Sequence, residues 1–176
     1  MIKYLFSNVD KVNGFNEQQI KYLSIDLKTC KSILFVPGDY DKEKYIIYKD
    51  KIIGWFENID IIFKEKHLAS LDGELKCYDA IFLMGGNPIN QIEIINKINL
   101  KNIINKAKVV IGVSAGAINL SKEAIYFNDY SKKVEMYDGI GLTDINVYPH
   151  FDITNEYFCR RSKNGKQIKI FNCFTK

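Results

Sequence analysis

The apolar run Val109–Val113 ends directly against Ser114-Ala115-Gly116, and this junction limits the fold more than any other stretch. A short β-branched run with no polar alternation is a strand buried on both faces, the habit of parallel sheets covered by helices on each side. Gly112-Val113-Ser114-Ala115-Gly116 has the G-x-S-x-G pattern. Between a strand and a helix, that pattern describes a turn so tight that the residues two before and two after the serine must lack bulk. Ser114 Oγ is then raised above the strand ends, and the free N–H groups of the following helix favour negative charge beside it. A plainer reading stands next to this one: a glycine-bordered turn whose serine caps the helix.

The rest of the chain supports the parallel sheet. Short apolar runs at 2–6, 32–36, 59–63, 80–84 and 145–148 read as strands, several closed by turn residues such as Pro37-Gly38 and Gly85-Gly86-Asn87. Between them lie amphipathic stretches at 16–27, 41–56, 88–99, 100–107 and 115–121, with apolar residues three and four apart, as in Tyr45, Tyr48, Ile52 and Trp55. This alternation predicts an α/β fold. Residues from about 122 to 144 are mixed in pattern, and those beyond about 154 are polar and weakly periodic. With no repeat, linker or low-complexity block, residues 1–176 are expected to form one domain.

Charge and composition exclude some functions. The net charge of +4 comes from lysines scattered along the chain, which is too little for a nucleic-acid surface. Arg160-Arg161-Ser162-Lys163 reads as a solvated tail. No apolar run approaches the roughly 20 residues that span a bilayer. The N-terminus lacks the features of a signal peptide. Cys30, Cys77, Cys159 and Cys173 form no CxxC pair, so reduced thiols in a cytoplasmic protein are expected rather than a disulfide frame or a zinc site.

Two further elements bear on chemistry. Gly85-Gly86 lies at a strand end, where unencumbered backbone N–H groups could join that of Ala115 in an oxyanion hole; taken alone it is a plain turn. His150, in Tyr148-Pro149-His150-Phe151, follows the 145–148 run and suits a general base. His67 sits among Lys64, Glu65 and Lys66 and reads as a surface residue.

In order, Gly85-Gly86-Asn87, the Ser114 elbow, Asn128-Asp129 and Pro149-His150-Phe151 resemble the dipeptidase E (aspartyl dipeptidase) family of serine peptidases, relatives of cyanophycinase, over about residues 1–152. The resemblance implies a three-layer α/β/α sandwich with a mostly parallel sheet, similar to class I glutamine amidotransferases. It implies hydrolysis of short peptides, including dipeptides with N-terminal Asp, without metal or cofactor. Ser114 would be the nucleophile, His150 the base, Gly86 and Ala115 the oxyanion hole, and Asp129 an aspartate of the active-site neighbourhood. Lys122, Arg160 and Arg161 are candidates to receive a substrate carboxylate. The family continues past the histidine with a segment bearing an orienting acid, which Gly165–Phe171 matches poorly. Asp129, Asp138 and Asp152 are candidates to take the place of that acid. The expectation is therefore a slow or inactive enzyme that self-associates, and a binding module is the alternative function. An α/β-hydrolase also uses G-x-S-x-G, but the interval from Ser114 to His150 is short for crossover units of about 30 residues each.

Overall fold

The computed structural model describes residues 1–71, 76–128 and 131–149. Five strands, β1 (Ile2–Phe6), β2 (Ser32–Gly38), β3 (Glu65–Leu68), β4 (Ala80–Gly86) and β5 (Val109–Val113), form one parallel sheet in the order β1-β5-β4-β2-β3. The pleat sends alternate residues of each central strand to opposite faces. Ile33, Phe35, Phe82 and Ile111 pack with Leu23 of α1 (Glu17–Asp26) and with Ile52 and Phe56 of α2 (Lys42–Glu57). Leu34, Val36, Leu83 and Val110 pack with Ile92 and Ile95 of α3 (Pro88–Lys97) and with Ile104 of α4 (Lys101–Ile104). Two cores on the two faces of one parallel sheet make a three-layer α/β/α sandwich, as expected. Each fully buried Leu, Ile or Phe contributes about 1.5–3 kcal/mol relative to exposure.

Helix starts follow local chemistry. Asn16 and Gln19 form a reciprocal capping box at α1, and the Asp41 carboxylate accepts from Lys44 N at the start of α2. After β5 the chain forms α5 (Ala115–Leu120) and then an antiparallel hairpin of β6 (Glu123–Asn128) and β7 (Lys133–Asp138). Among the described residues, no helix is long and apolar enough to cross a membrane.

Three local expectations are corrected. Residues 59–63 are not a strand: Ile61 and Phe63 are buried because they pack beneath α2, with the Phe63 and Phe56 rings 5.4 Å apart. The strand falls later, at β3, whose charged, exposed residues suit a sheet edge. Residues 145–148 are not a strand either. Ile145 instead bonds side chains, its N donating to Thr143 Oγ1 and its carbonyl accepting from Ser121 Oγ. The mixed stretch after α5 contains the β6–β7 hairpin, whose half-exposed faces give only a weak apolar alternation.

At the end of the sheet opposite the elbow, Asp79 accepts from Lys31 N at 2.8 Å and Ser32 N at 3.3 Å, while Lys108 Nζ lies 2.8 Å away. The Lys108 ammonium and these N–H groups hold its carboxyl below the ordinary value. A depressed folded pKa gives stability that is present above the unfolded value, about 3.9, and is lost as pH falls through the folded one. Asp79→Ala is therefore expected to cost about 1–2 kcal/mol at pH 7. The gap should narrow below about pH 3.9, as urea unfolding at the two pH values would show.

Candidate active site

The chain passes from β5 into α5 with no spacer. Ser114 N donates to Phe6 O of β1 at 2.9 Å, while Ile118 N already donates to Ser114 O at 3.0 Å. The residue between these two commitments is forced to φ 51°, ψ −111°. Such a conformation in a residue with a side chain costs about 1–3 kcal/mol. The serine-cap reading does not survive: an N-cap serine sits in the β region and accepts from the helix, whereas Ser114 does neither. The two glycines are steric necessities. A Cβ on Gly112 would lie 2.7 Å from the Gly116 carbonyl, and one on Gly116 would lie 2.2 Å from Leu83 O of β4. Ala115 is the first residue of α5, so its N–H has no partner within the helix.

The second wall is the end of β4. A Cβ built on Gly85 would lie 3.6 Å from Ser114 Cβ, so the Gly85-Gly86 turn runs alongside the serine. Gly86 has φ 144°, and a Cβ there would meet the Tyr45 hydroxyl at 2.5 Å and Gly38 O at 2.9 Å. Asn87 N donates to Gly38 O at 3.0 Å, and Asn87 Oδ1 caps α3 by accepting from Ile89 N and Asn90 N. Ser114 and Gly85 are half-buried, and Gly86 is exposed, so the niche opens to solvent at the carboxyl ends of the strands. Its place follows from topology. The chain leaves β2 through α2 on one face and leaves β4 through α3 and α4 on the other. Crevices in open α/β sheets form where neighbouring strands part in this way.

Tyr45 supplies a neutral hydroxyl at this place. Burial, and then the nearby Asp39 carboxylate, push its pKa up to about 12. Behind the niche lies a polar chain inside apolar packing. Gln91 of α3 and Asn119 of α5 are both fully buried. Gln91 Nε2 donates to Met84 O at 2.8 Å, Asn119 Nδ2 donates to Gln91 Oε1 at 3.0 Å and to Pro88 O at 2.9 Å, and Tyr137 Oη donates to Asn119 Oδ1 at 2.7 Å. The sequence reading missed Tyr45, Gln91 and Asn119. A signal was present for the last two, since each is a polar residue on the inward face of an apolar helix.

The structure thus brings Ser114, Ala115, Gly85 and Gly86 together. His150, Asp129, Asp152, Arg160 and Arg161 lie outside the described residues. Asp138 ends β7, exposed, and Lys122 is exposed between α5 and β6. His67 is on the edge strand β3, half-exposed, with Nε2 3.5 Å from Glu65. Among the described residues, no three His, Cys, Asp or Glu side chains gather as a metal site would require.

The sequence model of peptidase family S51 matches residues 5–169. That match runs beyond the expected limit near 152 and takes in residues 165–169 of the segment read above as a poor fit. No curated protein matches the chain. A crystal structure of a candidate peptidase E from Listeria monocytogenes EGD-e aligns with a TM-score of 0.56 at 18% identity, over 87% of this chain and 80% of that one. A peptidase from an acI-B1 actinobacterium aligns with a TM-score of 0.57 at 21% identity, over 81% of this chain. This chain spans 64% of that protein's length. At these identities the likeness bears on the fold alone.

Proposed function

Since the chain belongs to peptidase family S51, we propose that it is a serine-type peptidase of short peptides, with Ser114 as nucleophile and His150 as general base. The observation that carries this reading is the elbow. Ser114 is held at φ 51° with its hydroxyl unused as a cap, beside a glycine turn and at the start of a helix. Strain of this kind persists where the surrounding structure over-determines it, and it clusters at functional sites.

With Ser114 as nucleophile and His150 as base, the steps are those of serine-type acyl transfer. His150 takes the proton of Ser114 Oγ as the oxygen attacks the scissile carbonyl. The N–H groups of Ala115 and Gly86 receive the oxyanion. His150 then returns the proton to the departing amine, leaving an acyl-enzyme that water cleaves by the same route in reverse. Asp129, which the resemblance to dipeptidase E puts in the active-site neighbourhood, is assigned to orient the imidazole in place of the family's later acid; the choice of dipeptides with N-terminal Asp rests on the same resemblance. Lys122, Arg160 or Arg161 would receive the substrate's side-chain carboxylate. The reaction needs no metal or cofactor, and the site of action is the cytoplasm.

The test is release of free amino acid from a panel of dipeptides with and without N-terminal Asp. Turnover is expected, with the peptides carrying N-terminal Asp among those cleaved. His150→Ala should lower kcat by about 10⁴-fold or more. Hydrolysis unaffected by His150→Ala would remove the histidine from the mechanism, and absence of hydrolysis across the panel would remove the peptidase reading.

A further inference from the structure

The two N–H groups assigned to the oxyanion hole come from different elements, Ala115 from α5 and Gly86 from the end of β4, and their separation has to be set by something. Steric contact sets part of it, since Gly116 rests on Leu83 O. That contact limits approach but does not prevent the two elements from parting or sliding. The β4–β5 ladder does that only as far as its last pair, Leu83 with Gly112, and beyond it the only side-chain bonds among the described residues that run directly between α3 and α5 are those of Asn119. We propose that Asn119 and Gln91 are positioning residues that fix the spacing between the Ala115 and Gly86 N–H groups, so that the pair matches an oxyanion rather than a carbonyl. This rests on the reading of Ser114 as nucleophile.

The placement of each bond supports it. Asn119 stands one helical turn after Ala115 and donates to Pro88 O, the second residue after Gly86. Its other bond reaches Gln91 Oε1, and Gln91 Nε2 binds Met84 O, the second residue before Gly86. Gln91 Nε2 also lies 3.4 Å from Val36 O and from Pro37 O, where β2 ends beside the same turn. The glycine turn is therefore held on both sides by amides anchored to the elbow helix. Tyr137 of the hairpin completes the chain through Asn119 Oδ1. Both amides are fully buried, and every buried side-chain polar atom among the described residues has a partner. A core position that Leu or Met could fill holds an amide only against the cost of desolvating it. The bonds gained here tie α5, the helix that begins at Ala115, to both flanks of the Gly86 turn.

The test uses a fluorophosphonate, which reacts with a serine nucleophile. Ser Oγ bonds to phosphorus, fluoride leaves, the serine proton passes to the base, and the phosphoryl oxygen occupies the oxyanion hole in the transition state. The rate constant kinact reads the donors' geometry, and KI reads ground-state binding. Removing one oxyanion donor costs about 10²–10³-fold, and displacing a reacting group by about 1 Å costs about 10²-fold. For Asn119→Leu and Gln91→Met, kinact is accordingly expected to fall by about 10–100-fold, with KI within about twofold. Tyr137→Phe, which removes only the outermost bond, should show a smaller fall. Ile52→Ala, in the core on the opposite face of the sheet, lowers the melting temperature as a general destabilisation would and should leave kinact unchanged.

If Asn119→Leu does not fold, Gln91→Met and Tyr137→Phe give the same readout. Wild-type kinetics in the folded variants, or a fall no larger than that of Ile52→Ala at matched loss of melting temperature, would overturn the proposal while leaving Ser114 in place. A wild-type chain that does not react at Ser114 would overturn both.

Discussion

Ser114→Ala is expected to lower peptide turnover by about 10⁶-fold, the cost of removing the nucleophile from a serine peptidase, and to leave the fold intact. Alanine keeps the Cβ, so the strained φ of 51° is neither relieved nor worsened and stability should change by less than about 0.5 kcal/mol. Ser114→Gly separates the two properties. It is equally inactive, yet glycine takes positive φ without steric cost, so the variant should gain about 1 kcal/mol. A parallel pair of dipeptidase assays and urea titrations reads both effects. Retained turnover in either variant contradicts the assignment. Lower stability in Ser114→Gly would mean that the elbow is not strained in the way its backbone angles indicate.

The second large effect is on stability, and it comes from the glycines. Gly116→Ala forces a Cβ to within 2.2 Å of Leu83 O, a backbone atom in the middle of the sheet. Neither the strand nor the first turn of α5 can yield cheaply, because Leu83 also pairs with Gly112 in the β4–β5 ladder. The expected cost is about 3 kcal/mol, at the upper end for overpacked cores. Gly54→Ala makes the contrast. Gly54 lies within α2, with nothing within 4 Å of the added Cβ, and the substitution should stabilise by about 0.5–1 kcal/mol through helix propensity and a less flexible unfolded chain. Denaturant midpoints of the two variants should therefore move in opposite directions, and a shift of the same sign in both would contradict this packing of elbow against sheet.

The central sheet was legible because its strands are buried on both faces. Val109–Val113 and residues 80–84 are unbroken apolar runs, and nothing but a covered parallel sheet accommodates them easily. Edge elements were not legible. Ile61 and Phe63 are as apolar as a strand, but they are buried by α2 rather than by ladder partners, whereas β3 consists of Glu65, Lys66, His67 and Leu68 and carries no apolar pattern. The β6–β7 hairpin was missed for a related reason, since Val134 and Met136 face solvent.

At the site, the turn glycines could be read from local spacing, because each is demanded by a close approach near in sequence to the serine. Tyr45 could not. It meets Gly86 only through the packing of α2 against the end of β4, and a tyrosine in a helical apolar stripe reads as core. Gln91 and Asn119 did break an apolar stripe, but their partner carbonyls are set by tertiary contact.

The central claim is that Ser114 is a nucleophile, and the most direct measurement is the mass of the chain after reaction with a fluorophosphonate, followed by mapping of the modified peptide. The account predicts one added phosphonyl group per chain, located on Ser114, and none in Ser114→Ala. An adduct on a different residue, or none on the folded wild-type chain, would contradict it.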